Sequence, residues 1–207
     1  MVKNIFSPLG MNSTMLWQKK KLPPNKATGY DFNDSSKKFE RADADESIFF
    51  STQGDGGLYT TLDDYMKWFS ALQKGKPVDK KSIAMARSLE FPISQSNFLG
   101  YGYGWFIGKA GEDTIVSHTG SNGGFRAFVF TIPSKNYLLV IFSNRNGVDL
   151  EHLATEINKI LRPGSKAFTK IEPLTSFRRC SPNFAPCKKT VQYLISSIKN
   201  SNVREMV

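Results

Sequence analysis

The clearest hydrophobic pattern in the chain is a stripe with helical spacing that begins just after Thr61. Its apolar residues recur three or four positions apart, so they share one face of a helix. They are Leu62, Tyr65, Met66, Phe69 and Leu72. Thr61 can cap the first turn of this helix, and Asp63 and Asp64 place negative charge at the positive end of the helix dipole. Gly75 follows the last apolar residue. The pattern predicts an amphipathic helix between Thr61 and Gly75.

A second stripe with the same spacing follows Asp149 and is stopped by Pro163-Gly164. Its members are Leu150, Leu153, Ala154, Ile157, Ile160 and Leu161. Because Asp149 has the side chain of a helix cap, the stripe predicts another amphipathic helix. A shorter helix is predicted from Asp79 to Ser88.

From Gly100 onward the pattern changes to that of β-strands. Strands are predicted at 101–107, 114–117, 125–132 and 137–142. The last two are almost wholly apolar, and the turn between them should pair them antiparallel. A sheet that is apolar on both faces must be covered on both faces, here by helices. We therefore predict an α+β fold, in which an antiparallel sheet has flanking helices.

Charge separates the chain into a domain and an extension. Residues 163–207 carry eight Lys and Arg against two Glu, a net charge of +6, whereas residues 1–162 carry +4 of the total +10. We interpret 1–162 as one domain and 163–207 as a basic extension, partly disordered or with a short helix. Its basic residues are dispersed and match no nucleic-acid-binding motif, so neither nucleic acid nor a membrane is expected as a partner. Within the domain, the polar stretch 18–47 is predicted to be a surface excursion.

Composition excludes several classes of function. Two cysteines and two histidines are too few for a disulfide framework or a histidine-rich metal cage, so no metal or cofactor is expected. The longest apolar run, Tyr137 to Phe142, has six residues and is too short to span a membrane. No apolar stretch with a cleavage site follows Met1, so we expect no signal peptide and a cytoplasmic location.

The stretch with the most chemical content is 118–124, of sequence His-Thr-Gly-Ser-Asn-Gly-Gly. Glycines allow a backbone to approach a ligand closely, with amide N–H groups free to bind an oxyanion or a carboxylate. The same residues could equally form a glycine-rich hairpin loop beside a histidine. This stretch alone does not decide between the two interpretations.

Six segments, in order along residues 1–162, resemble the serine β-lactamase-related family of class C β-lactamases, penicillin-binding D-Ala-D-Ala peptidases and related esterases. They are 5–11 (Ile-Phe-Ser-Pro-Leu-Gly-Met) with Thr14, 28–30 (Thr-Gly-Tyr), 54–61 (Gly-Asp-Gly-Gly-Leu-Tyr-Thr-Thr) before Asp63-Asp64, 101–105 (Tyr-Gly-Tyr-Gly-Trp), 118–120 (His-Thr-Gly) and 133–144. The resemblance implies a β-lactamase/transpeptidase-like fold. It also implies acyl transfer on the peptide, ester or β-lactam carbonyl of a small-molecule substrate, without a cofactor.

The resemblance further implies that His118, Thr119, Gly120 and Ser121 bind substrate. The first three stand where the family has Lys-Thr-Gly, on an edge strand facing the cleft. Thr119 would hydrogen-bond a substrate carboxylate or amide, and the backbone N–H of Ser121 would be one of two oxyanion-hole donors. Because an imidazole is mostly neutral at pH 7, histidine in place of lysine favours a peptidase or an esterase over a β-lactamase.

The family's nucleophile, the serine of a Ser-x-x-Lys motif, and its Tyr-x-Asn motif both belong upstream of segment 5–11. Two Ser-x-x-Lys matches exist, at Ser35 in a polar loop and at Ser196 on a tail stripe. Neither begins a buried helix with a desolvated lysine, so we assign no catalytic residue. The chain is interpreted as an incomplete hydrolase, lacking the amino-terminal half with its nucleophile, and as an inactive fragment. Two alternatives are an active hydrolase completed by a separate N-terminal half, and a non-enzymatic binding protein that uses the exposed sheet or the basic tail.

Overall fold

Three α-helices and ten β-strands occur among the residues that the computed structural model describes, which are 1–18, 25–42, 54, 56–88, 91–94, 99–110 and 112–162. The helices are α1 (Leu62–Gln73), α2 (Lys80–Ala86) and α3 (Leu150–Leu161). The strands are β1 (Met15–Leu16), β2 (Tyr30–Asn33), β3 (Lys38–Arg41), β4 (Leu58–Tyr59), β5 (Phe91–Ser94), β6 (Leu99–Tyr101), β7 (Phe106–Ala110), β8 (Asp113–Asn122), β9 (Phe125–Ile132) and β10 (Tyr137–Ser143). A π-helical turn covers Val2–Phe6 and a 3-10 turn covers Pro133–Lys135. The extension predicted for 163–207 lies outside the described residues.

The predicted antiparallel sheet is confirmed, and it has six strands in the order β10-β9-β8-β7-β6-β5. All five neighbouring pairs in that order are antiparallel. β9 and β10 pair in continuous register, from Tyr137 opposite Ile132 to Ser143 opposite Arg126. The turn between them ends at Asn136 with φ 49°, a left-handed conformation that asparagine tolerates better than most residues.

One helix covers each face of β9 and β10, as their two-sided apolar pattern predicted. On one face, residues of both strands form a core with α3. This core contains Phe128, Phe130, Ile132, Leu139, Ile141, Leu150, Ala154 and Ile157. On the other face, Phe69 of α1 packs with Val129, Leu138 and Val140. The sheet therefore lies between two helices, which confirms the α+β fold.

A buried carboxylate connects the start of α1 to the amino-terminal segment. Thr61 caps the helix by accepting a hydrogen bond from the Asp64 N–H at 3.3 Å. The Asp64 side chain accepts hydrogen bonds from Ser13 N (2.8 Å), Thr14 Oγ1 (2.9 Å) and Lys67 Nζ (2.6 Å). Burial alone would raise the pKa of Asp64, but the hydrogen bonds from Lys67, Thr14 and Ser13 outweigh it and hold that pKa below its usual range.

Part of the stretch 18–47 forms a hairpin that the sequence pattern did not predict. β2 and β3 pair in register over four residues each. All four residues of β3 are exposed, so the strand has no buried face and no apolar alternation to reveal it. Tyr30 N donates to Asn144 O and Asn146 N donates to Tyr30 O, both at 2.9 Å, which joins the hairpin to the chain just after β10.

The single strand predicted at 101–107 is in fact two strands. Residues 102–105 form the turn between β6 and β7, with Gly104 at φ 80° and Gly102 N donating to Trp105 O at 2.8 Å. This turn places Tyr101 opposite Phe106. Glycines that alternate with aromatic residues are compatible with both a strand and a tight turn, so the sequence did not separate the two.

Candidate active site

The glycine-rich segment 118–124 begins inside a strand. A strand was predicted to end at Ser117, but β8 continues through His118, Thr119, Gly120 and Ser121 to Asn122. β8 extends to Asn122 because it pairs with β9 without interruption, from Val116 opposite Thr131 to Asn122 opposite Phe125. All four predicted substrate-binding residues therefore have extended backbones supported on one side by an apolar strand.

The other side of this half of β8 is open among the described residues. β7 pairs with β8 only from Ala110 opposite Asp113 to Phe106 opposite Ser117. The resemblance places the motif on an edge strand, whereas β8 is an inner strand whose second half, 118–122, is unpaired on the β7 side. Gly120 and Ser121 are exposed, and His118 and Thr119 are partly exposed. A ligand can thus approach the backbone of these four residues along the strand.

The turn that follows determines which backbone groups point toward the open side. Gly123 (φ 50°) and Gly124 (φ 80°) both have positive φ, as a two-residue type I′ hairpin turn requires. Such a turn closes on a hydrogen-bonded pair, here Asn122 and Phe125, and pairs alternate along an antiparallel ladder. We infer that Ser121 belongs to the next, non-hydrogen-bonded pair. Its N–H is then directed away from β9 and toward the open side.

The His118 imidazole is held by two aromatic residues from β6 and β7. Its Nε2 lies 3.1 Å from the Tyr101 hydroxyl. The Phe106 ring stacks on it with a centroid distance of 5.4 Å, and the rings of Tyr101 and Phe106 meet edge to face at 4.8 Å. Sequence reasoning missed this cluster because it placed Tyr101 and Phe106 on one straight strand. Only the turn between them brings both rings to His118.

Two other glycine segments singled out in the sequence meet the tip of the β8–β9 hairpin. A Cβ added to Gly124 would lie 2.6 Å from Tyr30 N, so this backbone contact requires glycine. A Cβ on Gly56 would lie 3.2 Å from the Asn122 side-chain nitrogen. Gly29, Tyr30 and Gly56 are therefore neighbours of the hairpin tip in space, although they are far from it in sequence.

The remaining candidates lie elsewhere. Ser35 is an exposed residue of the turn between β2 and β3, where its N–H donates to the Asn33 side chain at 2.9 Å. Ser196 is outside the described residues. His152, the second of the two histidines, is not part of this site and is exposed on α3. Within the described ranges, no group of three or more His, Cys, Asp or Glu is arranged to hold a metal ion, and no helix has the length and apolar character needed to cross a membrane.

The chain is similar to known proteins in sequence and in fold. The sequence model of the family described as Beta-lactamase matches residues 1–162. The chain is 26% identical over 158 residues to Protein flp of Staphylococcus aureus (strain MRSA252), a match that covers 73% of this chain and 30% of that protein. It is 27% identical over 96 residues to the D-alanyl-D-alanine-carboxypeptidase/endopeptidase AmpH of Escherichia coli (strain K12), covering 40% of this chain and 25% of that protein.

A solved structure extends the comparison to the fold. The octameric penicillin-binding protein homologue from Pyrococcus abyssi superposes with a TM-score of 0.65 and 24% identity, over 77% of this chain and 36% of that one. The chain thus spans about a third of the length of these similar proteins.

Proposed function

The chain belongs to the β-lactamase family, and from that premise we propose that the second half of β8 is the substrate-binding wall of a serine-hydrolase acyl-transfer site. In this proposal the Ser121 N–H donates to the oxyanion that forms on the substrate carbonyl. The Thr119 hydroxyl hydrogen-bonds a substrate carboxylate or amide, and His118 and Gly120 complete the wall.

One observation carries the proposal, namely the open side of β8 at 118–122. A backbone donor is useful to catalysis only if it is unpaired and fixed in position. The β9 pairing and the type I′ turn fix Ser121. Among the described residues, no strand pairs with β8 beyond Ser117 on the β7 side, which leaves the Ser121 N–H available. An oxyanion-hole donor of this kind is worth roughly 10²–10³ in rate.

The substrate we propose is a peptide or ester rather than a β-lactam. A lysine at position 118 would present a permanent cation to the carboxylate of a β-lactam, whereas a neutral imidazole offers one N–H donor. The similar protein AmpH is a D-alanyl-D-alanine-carboxypeptidase and endopeptidase, which supports the same choice.

We further propose that the 207-residue chain forms no acyl-enzyme by itself. Among the described residues, Ser35 is the one serine with a lysine three positions on, and both Ser35 and Lys38 are exposed. A serine nucleophile needs an adjacent base with a lowered pKa, which requires desolvation. The nucleophile, the general base and the second oxyanion donor would come from an amino-terminal half that completes the site.

The experiment is covalent labelling. The purified chain is incubated with a fluorescent penicillin and with a fluorophosphonate probe, alone and together with a second polypeptide, the amino-terminal half of a relative that carries Ser-x-x-Lys and Tyr-x-Asn. We expect no label on this chain, and label on the second polypeptide that increases when both are present. An adduct mapped to Ser35 or Ser196 of the isolated chain would refute the proposal.

A matched pair of variants tests the donor itself. Ser121→Pro removes the N–H, and proline is tolerated where that group faces away from the neighbouring strand. Ser121→Ala removes only the hydroxyl and keeps the N–H. In the complemented pair we expect Ser121→Pro to slow labelling by roughly 10²–10³ and Ser121→Ala to leave it nearly unchanged. Equal rates for the two variants would mean that the Ser121 N–H is not a donor to the oxyanion.

A further inference from the structure

We propose that Tyr101 is a positioning residue for His118: its hydroxyl donates a hydrogen bond to Nε2 and thereby keeps the proton of the neutral imidazole on Nδ1. The functional meaning of this inference rests on the proposed acyl-transfer site, but the hydrogen bond itself does not. It follows from the contact between the Tyr101 hydroxyl and His118 Nε2, at 3.1 Å.

The direction of the hydrogen bond follows from the chemistry of the two groups. A phenol hydroxyl can donate or accept, and a neutral imidazole has one nitrogen of each kind. The phenol is the stronger acid and the unprotonated imidazole nitrogen the stronger base, so the favoured arrangement is O–H···Nε2. The hydrogen bond made by one ring nitrogen decides which nitrogen carries the proton. The proton is therefore placed on Nδ1.

Packing keeps both partners in this arrangement. Phe106 is buried and stacks on the imidazole with an interplanar angle of 28°, while its ring also meets Tyr101 edge to face. The Tyr101 hydroxyl can leave Nε2 only if this three-ring cluster is disturbed. Among the described residues, His118 makes no other side-chain hydrogen bond, so Tyr101 alone controls its tautomer.

This arrangement explains how a histidine can stand in a position where related enzymes have a lysine. An ammonium group has three equivalent donors and needs no orientation, whereas a neutral imidazole has one donor whose place depends on the tautomer. Fixing the proton on Nδ1 gives His118 one defined N–H for an acceptor. The ligand that suits such a donor is the carbonyl or carboxylate oxygen of an acyl compound.

The test is a tautomer measurement by nitrogen NMR on the full chain, which has only two histidines, His118 and His152. After ¹⁵N-histidine labelling, the pH is raised until the imidazole nitrogen signals stop changing, so that the neutral form of each ring is the one observed. We expect a protonated-type signal for Nδ1 and an unprotonated-type signal for Nε2 of His118. His152, exposed on α3, should show signals averaged over the two tautomers.

Two variants separate the hydroxyl from the ring. Tyr101→Phe should move the His118 nitrogen signals toward the averaged values shown by His152. Tyr103→Phe is the matched control, because Tyr103 is 63% exposed, two residues away, and should leave the His118 signals unchanged.

The proposal is overturned if wild-type His118 carries its proton on Nε2, or if Tyr101→Phe leaves its tautomer unaltered. The wild-type spectrum decides the first point even if the variant does not fold. The measurement requires neither substrate nor nucleophile. If labelling of the second polypeptide did not increase in the presence of this chain, the proposed function would be refuted and this inference would stand.

Discussion

Replacing Asp64 by alanine should destabilise the fold by about 2–4 kcal/mol. The carboxylate is 2% exposed and accepts three hydrogen bonds, from Ser13, Thr14 and Lys67. A hydrogen bond to a charged group contributes about 1.5–3 kcal/mol, so three of them set an upper limit of several kcal/mol. The expected loss of unfolding free energy lies below that limit because Lys67 is 45% exposed and Ser13 is an exposed residue. Both donors can therefore form hydrogen bonds with water once the carboxylate is removed. The Thr14 hydroxyl is buried, but in the variant it keeps a hydrogen-bond partner in Thr60 Oγ1, which lies 2.8 Å from it.

Urea denaturation of the full chain, followed by tryptophan fluorescence, gives the free energy of unfolding. Asp63→Ala is the matched control, because Asp63 precedes Asp64 in the same first helical turn but is exposed, and its loss should cost less than about 0.5 kcal/mol. Equal effects at the two positions would show that the buried carboxylate does not hold the amino-terminal segment to α1.

The same comparison has a defined pH dependence. Because the pKa of Asp64 is lowered in the folded state, its contribution is complete above the ordinary aspartate pKa of about 3.9 and is lost as pH falls through the folded-state value. The difference between wild type and Asp64→Ala should therefore shrink between pH 5 and pH 2. A difference that stays constant over that range would contradict a charged carboxylate at this position.

Two further predictions concern the sheet. Gly124→Ala should destabilise the chain more than Gly147→Ala. Both glycines have φ between 74° and 80°, so the left-handed strain of about 1–2 kcal/mol is common to both variants. Of the two, Gly124 is the one at which the new Cβ would collide with backbone atoms. Equal unfolding free energies for these two variants would contradict the close approach to Tyr30. Tyr137→Phe should cost about 1–3 kcal/mol, because it leaves the Oδ1 of the fully buried Asn158 without its donor. In wild type, burial raises the pKa of Tyr137 to about 12. The contribution of its hydroxyl to the free energy of unfolding is therefore complete below pH 10 and is lost as pH rises through that folded-state value. The difference in phenolate absorbance between wild type and Tyr137→Phe during alkaline titration checks this, because the other six tyrosines are common to both chains. A difference that develops near pH 10 would refute it.

The elements that the sequence predicted well are those whose signal is local. α1 and α3 follow from apolar stripes with helical spacing between a capping residue and a glycine or proline. β9 and β10 follow from apolar runs separated by a Pro-Ser-Lys-Asn turn. The presence of a helix on each face could also be inferred, because strands that are apolar on both sides must be packed against other elements on both sides. The family could likewise be recognised from short motifs in a fixed order.

The candidate site depended on contacts that no local pattern encodes. β8 reaches Asn122 only because β9 supplies a partner, and its second half is open only because β7 begins at Phe106. Tyr101 reaches His118 across a turn that reads as strand in the sequence, and Gly124 needs to be glycine because Tyr30 approaches it from far along the chain. In this protein the sequence determined the segments that form α1, α3, β9 and β10, since burial of a periodic apolar face is a local property. Which backbone groups remain unpaired, and which side chains meet beside them, was decided by the tertiary structure, since strand pairing joins residues that are distant in sequence.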